Sequence, residues 1–268
     1  MPILADYHMH TPRCKHAAGP MAAYVERGIA LGLEEIGFSD HNPLPHGLGA
    51  NVRMDEAELD DYVADVLRLQ AQYRDQIRVR LGLEMDYVEG LEPYLAAQRR
   101  RYPWDYVIGS IHYLDPECQT IPWDRHLAVD FHPVYERYYA LLRKLAQTGL
   151  YDIVAHFDVP KRSGRPATAR ATEAVTQTLV AIASAGMCLE INTSGLRHTE
   201  LAHQPEGYPA WGIVTEALAL KIPLTVNSDA HAPDQVGAGF AEVAAGLHAA
   251  GCRTLARFAA GKREAYIL

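Results

Sequence analysis

The chain holds 268 residues, 49% hydrophobic and 22% charged, with 33 acidic against 25 basic side chains and a formal charge of -8. That length can bury a core without disulfide staples, and so ordinary a composition excludes disordered, collagen-like and fibrous classes. The acidic balance argues against a nucleic-acid platform, because phosphate backbones select basic surfaces, and no window nears the roughly 18 apolar residues of a membrane-spanning helix. Cys14, Cys118, Cys188 and Cys252 stand singly with no C-x-x-C pair, which suits reduced thiols better than a disulfide framework. MPILADYHMHT carries no secretory pattern, so a cytoplasmic protein is expected. The unusual count is histidine, at 13.

In chain order, the first apolar run, 3–7, closes on D-Y-H-M-H with His8 and His10, and His16 follows. An amphipathic stretch at 21–31 leads to a second run, 35–39, which closes on S-D-H with His41. A long loop at 42–54 and a helix at 55–72 precede the run at 77–83, which ends at Glu84. A helix at 92–101 leads to the run at 106–111, which ends at His112, and a second long loop covers 113–130. Next come a helix at 133–148, a run at 153–155 ending at His156, a helix at 171–185 and a run at 188–191. The last units are a helix at 211–220, a run at 224–226 followed by N-S-D-A-H with Asp229 and His231, and a helix at 241–249. The runs are short, rich in Ile, Val and Leu, and apolar on both faces, as parallel strands covered by helices should be. Repeated strand–helix alternation implies right-handed β-α-β units. No linker or repeat divides the chain, which predicts one α/β domain over 1–268, a barrel of the TIM type. The two long loops read as lids or binding loops.

Seven histidines and two carboxylates thus gather at or just beyond strand ends: His8, His10, His16, His41, His112, His156, His231, Glu84 and Asp229. The carboxyl ends of barrel strands converge on one face, where active sites are built, so these side chains should meet. In H-x-H on a strand the period of two turns both imidazoles to one side. Imidazole with carboxylate is a ligand set for Zn, Fe or Mn. Nine donors exceed what one ion accepts, and two or three ions sharing a bridging carboxylate are expected. Taken singly, each histidine is more often a hydrogen-bonded interior residue, and Glu84 is as readily a salt-bridge partner; their shared position is what argues for ligands. His46, His126, His132, His198, His203 and His248 read as surface or loop residues, with His46, His126 and His198 placed for a substrate contact.

D-Y-H-M-H-T with His16, S-D-H, L-G-L-E, G-S-I-H, A-H-F-D and N-S-D-A-H resemble, in order, the motifs of the PHP (polymerase and histidinol phosphatase) superfamily. The resemblance runs from residue 6 to 231 and fills all nine ligand positions. It implies a distorted (β/α)7 barrel with a trinuclear centre. His8, His10, Glu84 and Asp229 would hold the first ion, Glu84 with His112 and His156 the second, and His16, His41 and His231 the third. S-D-H-N-P-L, G-S-I-H-Y-L-D, P-W-D, A-H-F-D-V-P-K-R and E-I-N-T-S-G-L-R are similar to the stand-alone histidinol-phosphate phosphatases of that superfamily. The activity so implied is hydrolysis of L-histidinol phosphate to L-histidinol and phosphate in histidine biosynthesis. A PHP phosphoesterase for a nucleotide or sugar phosphate is the alternative, and a non-catalytic metal-binding barrel is a more distant one.

Such hydrolysis needs a nucleophile, which metal-bound hydroxide can supply near neutral pH, together with positioning and charge neutralisation. The catalytic candidates are Asp229, His231 and Arg197. Arg197 and Arg162 are candidates for gripping phosphoryl oxygens, which a planar guanidinium fork does and a lysine cannot copy. Ser228 is a further phosphate contact, Asp115, Asp124, Asp158 or Glu89 would pair with an ammonium group, and Trp123 and Tyr113 would stack on an imidazole. Asp40 and Asn192 would orient ligands or water. V-P-K-R-S-G-R-P-A-T around 159–168 departs from the superfamily pattern, so the resemblance assigns no roles to Lys161, Arg162 and Arg165.

Overall fold

In a computed structural model, seven parallel strands run in order around a barrel: β1 (Ala5–Asp6), β2 (Glu35–Phe38), β3 (Arg78–Asp86), β4 (Tyr106–Ser110), β5 (Ile153–Val154), β6 (Cys188–Asn192) and β7 (Leu224–Asn227). The structure describes residues 2–119, 121, 123, 131–165, 171–197 and 206–268. A parallel bridge between Met9 and Ala230 joins the last strand to the first at the carboxyl end, with His10 N–H donating to Ala230 O at 2.9 Å and Ala230 N–H to His8 O at 3.0 Å. The expected TIM-like α/β barrel is therefore observed. Helices α1 (Met21–Ala30), α2 (Leu59–Tyr73), α3 (Glu92–Arg101), α4 (Phe131–Gln147), α5 (Ala171–Ala185), α6 (Ser194–Arg197), α7 (Trp211–Ala219) and α8 (Phe240–Ala249) punctuate the strands. Their apolar faces cover the outer surface of the sheet: Val63, Val66 and Leu69 of α2, or Leu141, Leu142 and Leu145 of α4, are all buried. Among the described residues no helix is long and apolar enough to cross a membrane.

Two elements were not anticipated. β3 extends two residues past Glu84, so that carboxylate lies inside the strand, paired with Ile108 of β4. A hairpin, β8 (Thr254–Ala259) and β9 (Lys262–Ile267), closes the amino-terminal mouth. Its two-residue turn places Ala260 and Gly261 at φ 50° and 70°, the left-handed pair that matches hairpin twist. Alanine there gives no turn signal, and K-R-E-A-Y-I is too charged to read as a strand. Phe258 of the hairpin packs edge-on against Tyr7, which in turn packs on Tyr106 at 5.1 Å. Tyr106 fills the barrel axis because β2 and β3 present glycine inward: a Cβ on Gly37 would lie 2.2 Å from its hydroxyl, and one on Gly82 2.3 Å from Cζ. The amino-terminal half of the barrel is thus packed solid, and the carboxyl half is left for polar groups.

Candidate active site

All nine predicted donors converge at the carboxyl mouth, around Glu84. This carboxylate is 1% exposed, yet five imidazoles approach it. His8 Nε2 and His41 Nδ1 lie 3.3 and 2.8 Å from Oε2, and His10 Nε2 lies 3.5 Å from it. His156 Nε2 and His112 Nε2 lie 3.1 and 3.8 Å from Oε1. Asp229 Oδ1 meets His10 Nε2 at 3.1 Å and His8 Nε2 at 3.8 Å. On the outer side, His16 Nε2 and His231 Nε2 approach each other to 3.0 Å.

Three features show that the set suits cations. First, five imidazoles have Nδ1 taken by an acceptor, which fixes the Nδ1–H tautomer and leaves the Nε2 lone pair inward. His8 uses Glu190 Oε1 at 2.7 Å, His10 uses Asp40 Oδ1 at 3.4 Å, and His112 uses Asp86 Oδ1 at 2.8 Å. His16 uses the carbonyl of Cys14 at 2.7 Å and His231 that of Asp229 at 3.1 Å. Second, His8 Nε2, His41 Nδ1 and Glu84 Oε2 are buried without a hydrogen bond, although buried polar atoms normally find partners. Third, donor atoms of His8, His10 and Asp229 fall within 4.8 Å of one another, as do those of His41, Glu84 and His112, of His10, His41 and His231, and of Cys14, His16 and His231. His41 therefore touches the Glu84 group as well as the outer one, whereas the resemblance assigns it to the outer ion alone.

The electrostatics agree. Burial pushes the Glu84 carboxyl up, but the surrounding imidazoles of His41, His8, His112 and His156 outweigh it and hold the group well below the usual carboxylate range. Asp229 is held low in the same way by His8 and His10 against burial. Burial pushes His41 down to about 4, and burial with the charge of His10 holds His231 well below its ordinary value. Both are thus neutral, lone-pair-bearing donors near pH 7. His8 moves up despite burial, through Glu190 and Glu84, and His10 through Asp229 and Asp40. A cation seated there would displace protons from both.

Above the cluster lies a cavity of about 600 Å³ lined by His16, His41, His112, His156, Asp229 and His231 on one side. Arg162, Arg197, Ser194 and Gln235 add polar groups, and Val52, Ile121, Trp123, Val159 and Tyr208 form an apolar wall. Arg197 ends α6; its Nη2 donates to Asp229 O at 2.9 Å, while Nη1 is buried without a partner. Arg162 is exposed at the rim. Lys161 is engaged elsewhere, bound to Asp158, Glu206 and Gly207 O at 2.9–3.1 Å, and Arg165 stacks on Phe131.

Other expectations need correction. Ser228 does not line the cavity: it is fully buried, its N–H donating to Asp6 at 2.9 Å, because strand alternation turns it away from the mouth. Asp115 also lies off the cavity, accepting from Gln119 N within its own turn. Asp158 is neutralised by Lys161, and Glu89 by Arg137 and Lys144. Tyr113 packs beside Arg53 and does not line the cavity, whereas Trp123 does. Asp124, His126, His198 and His203 lie outside the described residues. The sequence reading missed the roles of Glu190, Asp86 and Arg53. Glu190 and Asp86 sit on strands, two residues before Asn192 and two after Glu84, so the period of two could have flagged them.

The sequence model of the PHP domain family matches residues 6–194. A probable histidinol-phosphatase of Deinococcus radiodurans is 36% identical over 256 residues, covering 94% of this chain and 95% of that protein. The histidinol-phosphatase of Bacillus subtilis is 31% identical, covering 87% and 95%. In fold, the chain superposes on the crystal structure of a Lactococcus lactis histidinol phosphate phosphatase complexed with zinc, L-histidinol and phosphate. There the TM-score is 0.80 at 23% identity, with 97% of this chain and 98% of that one covered. Barrel, ordered donors and sequence likeness agree that the chain belongs to the PHP domain family.

Proposed function

We propose that the protein is a metal-dependent phosphomonoesterase that hydrolyses L-histidinol phosphate to L-histidinol and inorganic phosphate. The observation that carries this reading is one buried carboxylate, Glu84, approached by five imidazoles beneath a cavity also lined by Arg197 and Arg162. The names of the relatives point the same way.

His8, His10, His41, His112, His156, Glu84 and Asp229 would hold the inner ions, and His16 with His231 an outer one. When bound, divalent ions supply Lewis acidity and lower the pKa of the water they carry. Arg197 Nη1, buried and without a partner, is directed to receive a phosphoryl oxygen, and its bond to Asp229 O pins the guanidinium beforehand. Such preorganisation lets the charge of the transition state be met without reorganisation. Arg162 can close on the phosphate from the rim. Trp123, Tyr208 and Val159 offer an apolar surface to an imidazole and help exclude water.

The test is phosphate release from a panel of monoesters, with metal content measured on the same sample. Histidinol phosphate is expected to be the preferred substrate, and chelation to abolish release. Release from nucleotides with none from histidinol phosphate would overturn the substrate; full activity after stripping the ions would overturn the mechanism.

A further inference from the structure

Arg53 is 1% exposed, an uncommon fate for arginine; it comes from the 42–54 loop read above as a lid or binding loop and reaches the cavity wall beside Val52. Its Nη2 donates to Asp86 Oδ2 at 2.6 Å, and its Nη1 to Asn42 O at 2.9 Å. Asn42 Oδ1 in turn accepts from Asp86 N at 3.0 Å, so guanidinium, amide and carboxylate form a closed ring. The other oxygen of Asp86 faces the site. Oδ1 accepts from His112 Nδ1 at 2.8 Å, from His112 N at 3.2 Å and from Ser110 Oγ at 3.1 Å. The loop is shaped around this contact. Gly49 has φ +60°, and a Cβ there would lie 2.7 Å from both Arg53 Nε and the Tyr113 hydroxyl, so only glycine serves.

A buried ion pair is a weak source of stability, since an apolar pair of equal volume does as well. A use for the carboxylate explains this one better. Without a cation behind it, Asp86 would carry an uncompensated buried charge and be held through Oδ1 alone; with Arg53 it is neutralised and gripped at both oxygens. The carboxylate then decides which nitrogen of His112 carries the proton. We infer that Arg53 is a positioning residue: through Asp86 it locks His112 in the Nδ1–H tautomer, with Nε2 turned toward Glu84 for metal binding. The inference rests on the metal-centre reading above.

The experiment uses the full chain carrying Arg53→Met or Arg53→Lys, with Asp86→Asn as a second break in the same relay. In metal-free protein at a pH alkaline enough to keep the ring neutral, the ¹⁵N pattern of His112 should show the Nδ1–H form in wild type and a mixture in Arg53→Met. Titration with Zn²⁺ should show the weakening of about 10–100-fold typical of losing an outer partner, confined to one ion, and kcat should fall more than KM rises. Arg53→Lys keeps the cation without the two-pronged grip and should fall between; it also serves if the Met variant does not fold. An unchanged tautomer and zinc affinity with only a lower Tm would make Arg53 purely structural. A raised KM at constant kcat would make it a substrate ligand instead. Either result overturns the proposal. Failure of the wild-type chain to bind zinc at all would instead refute the metal-centre reading, and the tautomer measurement separates the two.

Discussion

Glu190→Gln is a nearly isosteric change whose effect can be worked from the structure. Glu190 is fully buried and receives four donors on two oxygens. Oε1 accepts from His8 Nδ1 at 2.7 Å and Asn227 Nδ2 at 2.9 Å; Oε2 accepts from His156 N at 2.8 Å and Asn192 Nδ2 at 3.0 Å. A glutamine keeps one acceptor oxygen and turns an NH₂ toward whichever pair loses it, so two donors lose their partner and face another donor. Each unsatisfied buried group costs about 1–3 kcal/mol, so the variant should be destabilised by about 2–6 kcal/mol. That is a large share of the roughly 5–15 kcal/mol available to a folded protein. The assay is urea denaturation of chelator-treated wild type and variant, so that metal binding does not enter the difference. A variant within about 0.5 kcal/mol of wild type, the range of ordinary surface changes, would refute the argument that these donors need a charged acceptor.

Arg197→Lys should lower kcat/KM about 10–100-fold, or about 1.4–2.7 kcal/mol of transition-state stabilisation, because an ammonium cannot both hold Asp229 O and reach the phosphate; steady-state kinetics on histidinol phosphate check this. At the opposite mouth, Glu35 accepts from Arg78 and Arg80 at 2.9 and 2.8 Å and from Tyr7 at 2.8 Å. Burial pushes its pKa up, but these partners carry it below the ordinary value. Its folded form therefore releases the proton more readily than the unfolded chain: the stabilisation is present above the ordinary glutamate pKa and is lost as pH falls through the depressed one. Glu35→Gln should cost about 1.5–3 kcal/mol at pH 7 and flatten the acid limb of a stability–pH curve; an unchanged acid limb would contradict the assignment. Gly82→Ala should destabilise by about 1–3 kcal/mol or more, since its Cβ would meet Tyr106 at 2.3 Å. Thermal melts of Gly82→Ala and of Gly82→Ala with Tyr106→Leu would show partial recovery in the double variant.

The strands and the nine donors were legible in the sequence because both signals are local. Apolar runs of three to seven residues mark buried parallel strands, and the histidine or acid that closes six of the seven needs only barrel closure to meet the others. The bridge Met9–Ala230 supplies that closure, and His41–Glu84 carries the β2–β3 pairing up to the mouth. What surrounds the donors was decided by the tertiary structure. Barrel closure sets Glu190 beneath His8, 182 residues away, and strand register sets Asp86 beside Ser110; neither placement leaves a mark on the local sequence. Ser228, next to the candidate ligand Asp229 in sequence, turns away, while Arg53, in a loop with no motif, reaches the candidate ligand His112 through Asp86. Lys161 is drawn off by Asp158 and Glu206, and the hairpin of β8 and β9 forms because Phe258 has the cluster of Tyr7 and Tyr106 to cover. A side chain's type and its place on a strand therefore nominate it as a donor. Its partners, its tautomer and the direction it faces depend on contacts that exist only once the barrel has closed.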